Sequence, residues 1–419
     1  MIRDALFTSC ARAALVAGVL TAGTLAAGTM AAQAADPIKI GLLEDQSGEF
    51  AAATIQKVHG AELAVKEIND AGGIMGRPVD LIAYDPQSDN RRYQELMRRV
   101  LQSDKVDVVF AGFSSASREA VRPIVNQFDA LYFYTNQYEG GVCDANVIAT
   151  GAVPEQQFST LIPWMMEKYG KKVYTIAADY NFGQISAEWV RDLVKENGGE
   201  MAGEEFIPLG VSQFSQTIQN IQAAKPDVLI TLLVGTAQAS FYEQAVSANL
   251  NLPMGSSVNV AQGYEHLRFE PPALKDMYVT ANFIEELQTP AAKAFVAKWR
   301  AAYPDEKYVN QPGQNSYVGI YLYKAAVEKA GSTDKDAIRA AIAGGDVCVD
   351  APEGKVCIDP KSQHASHTIY LAHVNADHSI DIPKSWEGIK PYWLGDNGCD
   401  LTKSDPNAQY TPSNPPNKG

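Results

Sequence analysis

The chain has 419 residues, 46% of them hydrophobic and 20% charged, and a formal net charge of −14. Such an acidic balance, with no cluster of Lys and Arg, argues against nucleic acid or an anionic membrane surface as a partner.

The first elements in chain order form a leader. Arg3 and Arg12 precede an Ala-rich apolar run, residues 13–32, and "AQAAD" offers a small-x-small cleavage site around Ala34. Residues 1–35 therefore read as a secretory signal peptide, with the mature chain starting near Ala35 or Asp36. The run is rich in Ala, Gly and Thr, and no second span of about 20 apolar residues follows, so a soluble exported protein is expected rather than an anchored one. Cys10 lies ahead of the apolar run, the wrong place for a lipid-modified cysteine. Removing Arg3, Asp4 and Arg12, a net of +1, leaves the mature chain near −15. Its length of about 380 residues exceeds what one core supports and suits two lobes.

Short apolar runs then alternate with longer amphipathic segments. "IKIGLL", "VDLIAYD", "VDVVFAG", "LYFYT", "VYTIAA", "DVLITLLV" and "DMYVTANF" read as strands, and most adjoin a helix-length stretch. This is the grammar of α/β lobes, each a parallel sheet flanked by helices. The first helix, 52–71, stops in "AGGIMGRP". After "TGAVPEQQF" the order restarts, since "KKVYTIAADYNFG" is followed by helix and "GGEMAGEEF", much as "IKIGLLEDQSG" is followed by helix and "GGIMGRPVD". Lobe 1 is expected over 36–152 and 281–345, with helices at 291–302 and 316–330, and lobe 2 over 153–280 and 346–400. The polar, Pro-rich tail, 401–419, has little to bury and is expected to be disordered.

Ligands of open α/β sheets sit beyond the carboxyl ends of strands, at helix N-termini. "DVVFAGFSSASREAV", 107–121, occupies such a place, and Ser115 or Ser117 suits the helix cap. The surplus of serines, Ser114 among them, with Phe113 alongside, favours a ligand contact as well. "GFSSA", 112–116, is also a degenerate nucleophile elbow, but Ala116 stands where a glycine belongs and nothing marks a base among the histidines. His364 and His367 enter a strand, where side chains alternate, so metal ligation is disfavoured. "AGGIMG" lacks the lysine of a P-loop, and no cofactor is expected.

Two further turns carry unusual chemistry: "YFYTNQYEGG", with Tyr134, Asn136 and Gln137, and "AADYNFGQ", with Tyr180 and Phe182. Aromatic residues at strand ends suggest the walls of a closed pocket. Hydroxyls and carboxamides without a paired Arg or Lys point to a small neutral polar ligand.

Four cysteines follow the leader. In "VCVDAPEGKVCID" two short strands around a turn would set Cys348 opposite Cys357, which leaves Cys143 with Cys399; four free buried thiols are the alternative.

The chain resembles a type I periplasmic solute-binding protein, in the branch of urea- and short-chain-amide-binding proteins and, more distantly, of branched-chain amino acid binders. "AVKEINDAGGIMGRPV", "GFSSASREAVRPIV", "YEG", "AADYNFG", "AAKPDVLITLLVG", "TPAAKAFV" and "DAPEGKVCIDPKSQH" carry the likeness, from about residue 38 to 378. The resemblance implies a non-catalytic binding protein, with the leader placing it in the periplasm, and a monomer is expected. Its two lobes would be joined by three crossovers, clamping a ligand for an inner-membrane permease with ATPase subunits. It places Ser115 at the ligand, Phe113 beside it, Tyr134, Tyr180 and Phe182 at aromatic pocket positions, and Val258 and Asn259 on a contact loop of the second lobe. Thr135-Asn136 and Asn181-Phe182-Gly183 depart from the relatives' proline-containing turns. A urea- or amide-like ligand is expected. A branched-chain amino acid, with its ammonium at Asp179, is the alternative, and a sensor on the same fold is the rival function.

Overall fold

The computed structural model describes residues 36–402 and 406–418. The expected leader and its cleavage site lie outside the described residues, among which no helix is long and apolar enough to cross a membrane.

In the first lobe β1 (Ile38–Leu43), β2 (Val79–Tyr84), β3 (Val108–Ala111), β4 (Tyr132–Tyr134) and β5 (Val147–Ala149) form an all-parallel sheet in the order β2-β1-β3-β4-β5. Every residue of β3, β4 and β5 is buried, as expected of β-branched and aromatic runs covered on both faces. Helices α1 (Ala51–Asp70), α2 (Asn90–Arg99) and α3 (Ser115–Gln127) supply part of that cover. A much later helix, Gln311–Ala330, lies along α1. The two approach so closely that a Cβ on Gly60 would strike the Gly313 carbonyl. This helix begins earlier than its sequence pattern predicts, because the Asn310 side chain caps the Gly313 N–H at 2.8 Å and Pro312 is tolerated in the first turn.

In the second lobe β6 (Lys172–Ala178), β7 (Glu200–Ile207), β8 (Val228–Leu232), β9 (Met254–Ser256) and β10 (Met277–Ala281) pair in parallel. Helices α4 (Pro154–Tyr169) and α5 (Asn181–Glu196) pack on this sheet. A separate ribbon, β11 (Cys348–Ala351) with β12 (Gly354–Cys357), precedes β13 (His367–Val374) and β14 (Ile380–Ile389). These last two strands join the second sheet antiparallel, giving the order β14-β13-β10-β9-β8-β6-β7. The sheet is mixed rather than purely parallel because β13 runs against β10 and the tight turn at Asn375–Ser379 then reverses the chain into β14.

The chain crosses between the sheets after β5, after β10 and between β12 and β13. At the third crossing Gln363 and Ala365 pair through their backbones with Ala149 of β5. Disulfides join Cys348 to Cys357 and Cys143 to Cys399.

Of the tail expected to be disordered, residues 401–402 and 406–418 are described. Residues 406–418 lie against the body of the protein: Tyr410 N–H donates to the Gly141 carbonyl at 2.8 Å, and Arg122 donates to the Ala408 carbonyl at 3.0 Å. The segment is held through polar and main-chain groups, so it needs no apolar face.

Candidate functional site

Parallel strands bring their carboxyl ends to one edge of a sheet, and here those edges face each other across a cleft. From the first lobe come the turn after β3, holding Phe113 and Ser115, and the segment after β4, holding Asn136 and Gln137. From the second come Tyr180 and Phe182 after β6, Val234 after β8 and Val258 after β9. Together with Gln262 they line a cavity of about 10 Å³, room for little more than one water and far below the range of about 300–1,000 Å³ typical of drug-sized ligands. The lobes are closed upon it, since Phe50 and Phe113 pack into the apolar cluster of the second lobe with Phe182, Val234 and Val258. A second, larger space of about 200 Å³ adjoins it, sharing Phe113, Val234, Val258 and Gln262 and adding Glu49, Glu265 and Arg268.

Seven of the ten ligand-binding residues expected from the sequence line the cavity: Phe113, Ser115, Asn136, Gln137, Tyr180, Phe182 and Val258. Three do not. Ser114 is the helix cap, its Oγ accepting the Ser117 N–H at 3.0 Å, so neither Ser115 nor Ser117 has that role. Tyr134 stands behind the wall, donating its hydroxyl to the Phe113 carbonyl at 2.6 Å. Asn259 is fully buried in the second lobe, bonded to Gln238, Tyr242 and Ser256. Of the three, Tyr134 bonds directly to a residue of the cavity wall, Phe113.

Beneath Ser115 lies a cation the sequence reading did not place there. Arg118, one turn along α3, is fully buried between the rings of Tyr134 and Tyr138, at 5.0 and 4.3 Å from their centroids. Its guanidinium pairs with Glu139 at 2.7 Å and with Glu119 at 2.8 Å. Burial alone would lower the Arg118 pKa, but Glu139 and Glu119 outweigh it and hold the group charged. Glu139 in turn accepts the Ser115 hydroxyl, while Arg118 reaches the same oxygen at 3.3 Å. The acid beside the serine turn is thus Glu139, while Asp179 is exposed and bonded to Gln184 at 2.9 Å. An Arg at i+3 from Ser115 was visible in the sequence; its partner 21 residues on, in another loop, was not.

Across from the serine turn stands a carboxamide: Asn136 donates to the Phe113 carbonyl at 2.9 Å, and its Oδ1 is buried without a partner among the described residues. Gln262 Nε2 is likewise buried and unpaired there. The histidines point elsewhere. His364 bonds Tyr138 and the Ser362 carbonyl, with its pKa lowered to about 4 by burial, and His367 pairs with Glu353 at 3.0 Å.

A family model described as periplasmic binding protein matches residues 37–379. Leu/Ile/Val-binding protein homolog 6 of Brucella melitensis is 24% identical over 349 residues, covering 81% of this chain and 88% of the relative. Homolog 7 of Brucella suis is 25% identical over 335 residues, covering 75% and 83%. Among solved structures, the closed leucine-, isoleucine-, valine-, threonine- and alanine-binding protein of Brucella ovis superposes with a TM-score of 0.76 at 20% identity, covering 85% of this chain and 97% of that one. A solute-binding protein of an ABC transporter from Rhodopseudomonas palustris, in complex with p-hydroxybenzoic acid, also gives 0.76, at 19% identity with 86% and 100% covered. Their shared architecture is the two-lobed fold described above. The chain belongs to the periplasmic binding protein family and is a solute-binding protein of the periplasm rather than an enzyme.

Proposed function

We propose that the protein is the substrate-binding component of an ABC importer and that its cleft captures a small amino acid for the cognate permease and ATPase. The observation that carries this reading is the start of α3 at the cavity. Ser114 caps Ser117 and its carbonyl takes the Arg118 N–H, so the Ser115 and Ala116 amides remain for a carboxylate. Glu49 in the adjoining space supplies an acid for an ammonium, and Phe113, Tyr180 and Phe182 supply walls for a side chain. The names of the Brucella relatives support the same ligand class.

A second reading, a urea- or amide-like solute, is favoured by one specific observation. The Arg118 charge is cancelled by Glu139, and the buried Asn136 Oδ1 offers an acceptor to a neutral N–H donor. Thermal-shift screening separates the two. Leucine, valine, alanine, urea, acetamide and 4-hydroxybenzoate would be compared, followed by calorimetry on any hit. A shift with the amino acids is expected. A shift with urea or acetamide alone would replace the first reading with the second, and a shift with 4-hydroxybenzoate alone would overturn both.

A further inference from the structure

The C-terminal segment ties the two lobes together beside Ser115. On the first lobe, Arg122 of α3 holds the Ala408 carbonyl and Gly141 holds the Tyr410 N–H. Gly141 has a positive φ of 88°, and a Cβ there would strike the Tyr410 carbonyl, so the segment lies directly on this turn. On the second lobe, Asn181 at the start of α5 donates to Gln409 Oε1 at 3.2 Å. Further along α5, Glu188 accepts the Ser413 N–H and hydroxyl at 3.2 and 2.9 Å. Between these anchors Gln409 Nε2 donates to the Glu139 carboxylate and to the Gly140 carbonyl, the latter at 3.0 Å. Glu139 is the fully buried acid whose other oxygen accepts the Ser115 hydroxyl. The Cys143–Cys399 disulfide tethers the root of the segment to the first lobe, which keeps its effective concentration over the cleft high.

We propose that residues 406–418 form a strap across the two lobes and that Gln409 is a positioning residue of the binding cleft. Through Glu139 it fixes the Ser115 hydroxyl, and through Asn181 it draws α5 toward the first lobe, so the strap raises the population of the closed state. The relevance to ligand capture rests on the function proposed above; the strap itself does not, and it is tested without ligand.

Three proteins would be compared ligand-free by small-angle scattering and amide hydrogen exchange: wild type, a chain ending at Thr402 and Gln409→Ala. Truncation keeps both disulfides and should increase the radius of gyration. It should speed exchange at 139–141 and in the first turn of α5 by roughly 5- to 100-fold, the range for losing one or two buried hydrogen bonds. Gln409→Ala should reproduce the faster exchange at 139–141 with the rest of the strap in place. Exchange in β6 and β8 should stay at the wild-type rate in both variants. A truncated protein with wild-type radius and wild-type exchange at 139–141 and 181–184 would overturn the strap. Exchange accelerated equally in β6 and β8 would overturn it too, since the tail would then act on global stability alone. Failure of every candidate ligand in the thermal-shift screen would bear on the ligand reading and leave these measurements unaffected.

Discussion

Ser115 stands where three demands meet: it opens α3, it faces the cavity and it donates to a buried carboxylate. Replacing it with alanine removes a hydroxyl from the cavity wall and leaves Glu139 short of a donor. Because an unpaired buried polar group costs about 1–3 kcal/mol, Ser115→Ala should weaken binding roughly 5- to 150-fold, read by calorimetry on the ligand found in the screen. Unchanged affinity would reduce the serine turn to a structural role. Glu139→Gln makes a different kind of loss. Arg118 would stay buried and cationic with its main partner gone, and breaking such a pair from one side costs about 3–5 kcal/mol, measurable by urea unfolding. The charge-deleting double variant Arg118→Met with Glu139→Gln should recover part of that loss, since no unpaired ion is then buried.

At the scale of elements, the start of α4 poses a conflict that pH can reveal. A carboxylate in the first turn of a helix is favoured by the dipole, yet Glu155 is buried there, and burial raises its pKa from 4.5 to about 7. The sign is set by proton uptake on folding. Below the unfolded value the group is protonated in both states and costs nothing. As pH rises toward 7 the unfolded chain ionises first and stability falls, by at most about 3 kcal/mol. Glu155→Gln should therefore gain stability over wild type at pH 8, with the advantage vanishing toward pH 4.5 in unfolding curves taken across that range. Elements were the most legible part of the molecule. The apolar runs of β1, β3, β6 and β8 marked strands, and the turns after β3, β4 and β6 marked parts of the cavity wall, because parallel α/β geometry sends all such turns one way. Helix caps were less legible: three nearby serines compete for one cap, and only backbone conformation decides for Ser114. The Arg118–Glu139 pair and the strap were illegible for a plainer reason. Their partners are distant in sequence, and a polar tail that bonds to Gly141, Asn181 and Glu188 has the composition of one that bonds to water.

For the whole molecule, the two disulfides act over very different spans. Cys348 and Cys357 are 9 residues apart within a ribbon that is already paired, whereas Cys143 and Cys399 are 256 apart and join the turn near Glu139 to the C-terminal segment. In the chain-entropy view a longer closed loop restricts the unfolded state more. Serine replacement of the long bridge should cost about 5 kcal/mol and of the short one about 2–3 kcal/mol, compared by urea unfolding. Equal losses would mean that native-state contacts, not loop closure, set the contribution of the long bridge.

The close seam between α1 and the helix Gln311–Ala330 also bears on how the protein is made. The first sheet is complete in the chain by β5, but one of its covering helices arrives only after the entire parallel part of the second sheet. The second sheet in turn waits for β13 and β14. A chain emerging from its N-terminus therefore finishes neither lobe until nearly all of it is present, and its early segments expose apolar faces with no mate yet available. This braided order makes the two lobes depend on each other's segments for completion, so urea unfolding should show one transition, coincident by fluorescence and by far-ultraviolet circular dichroism.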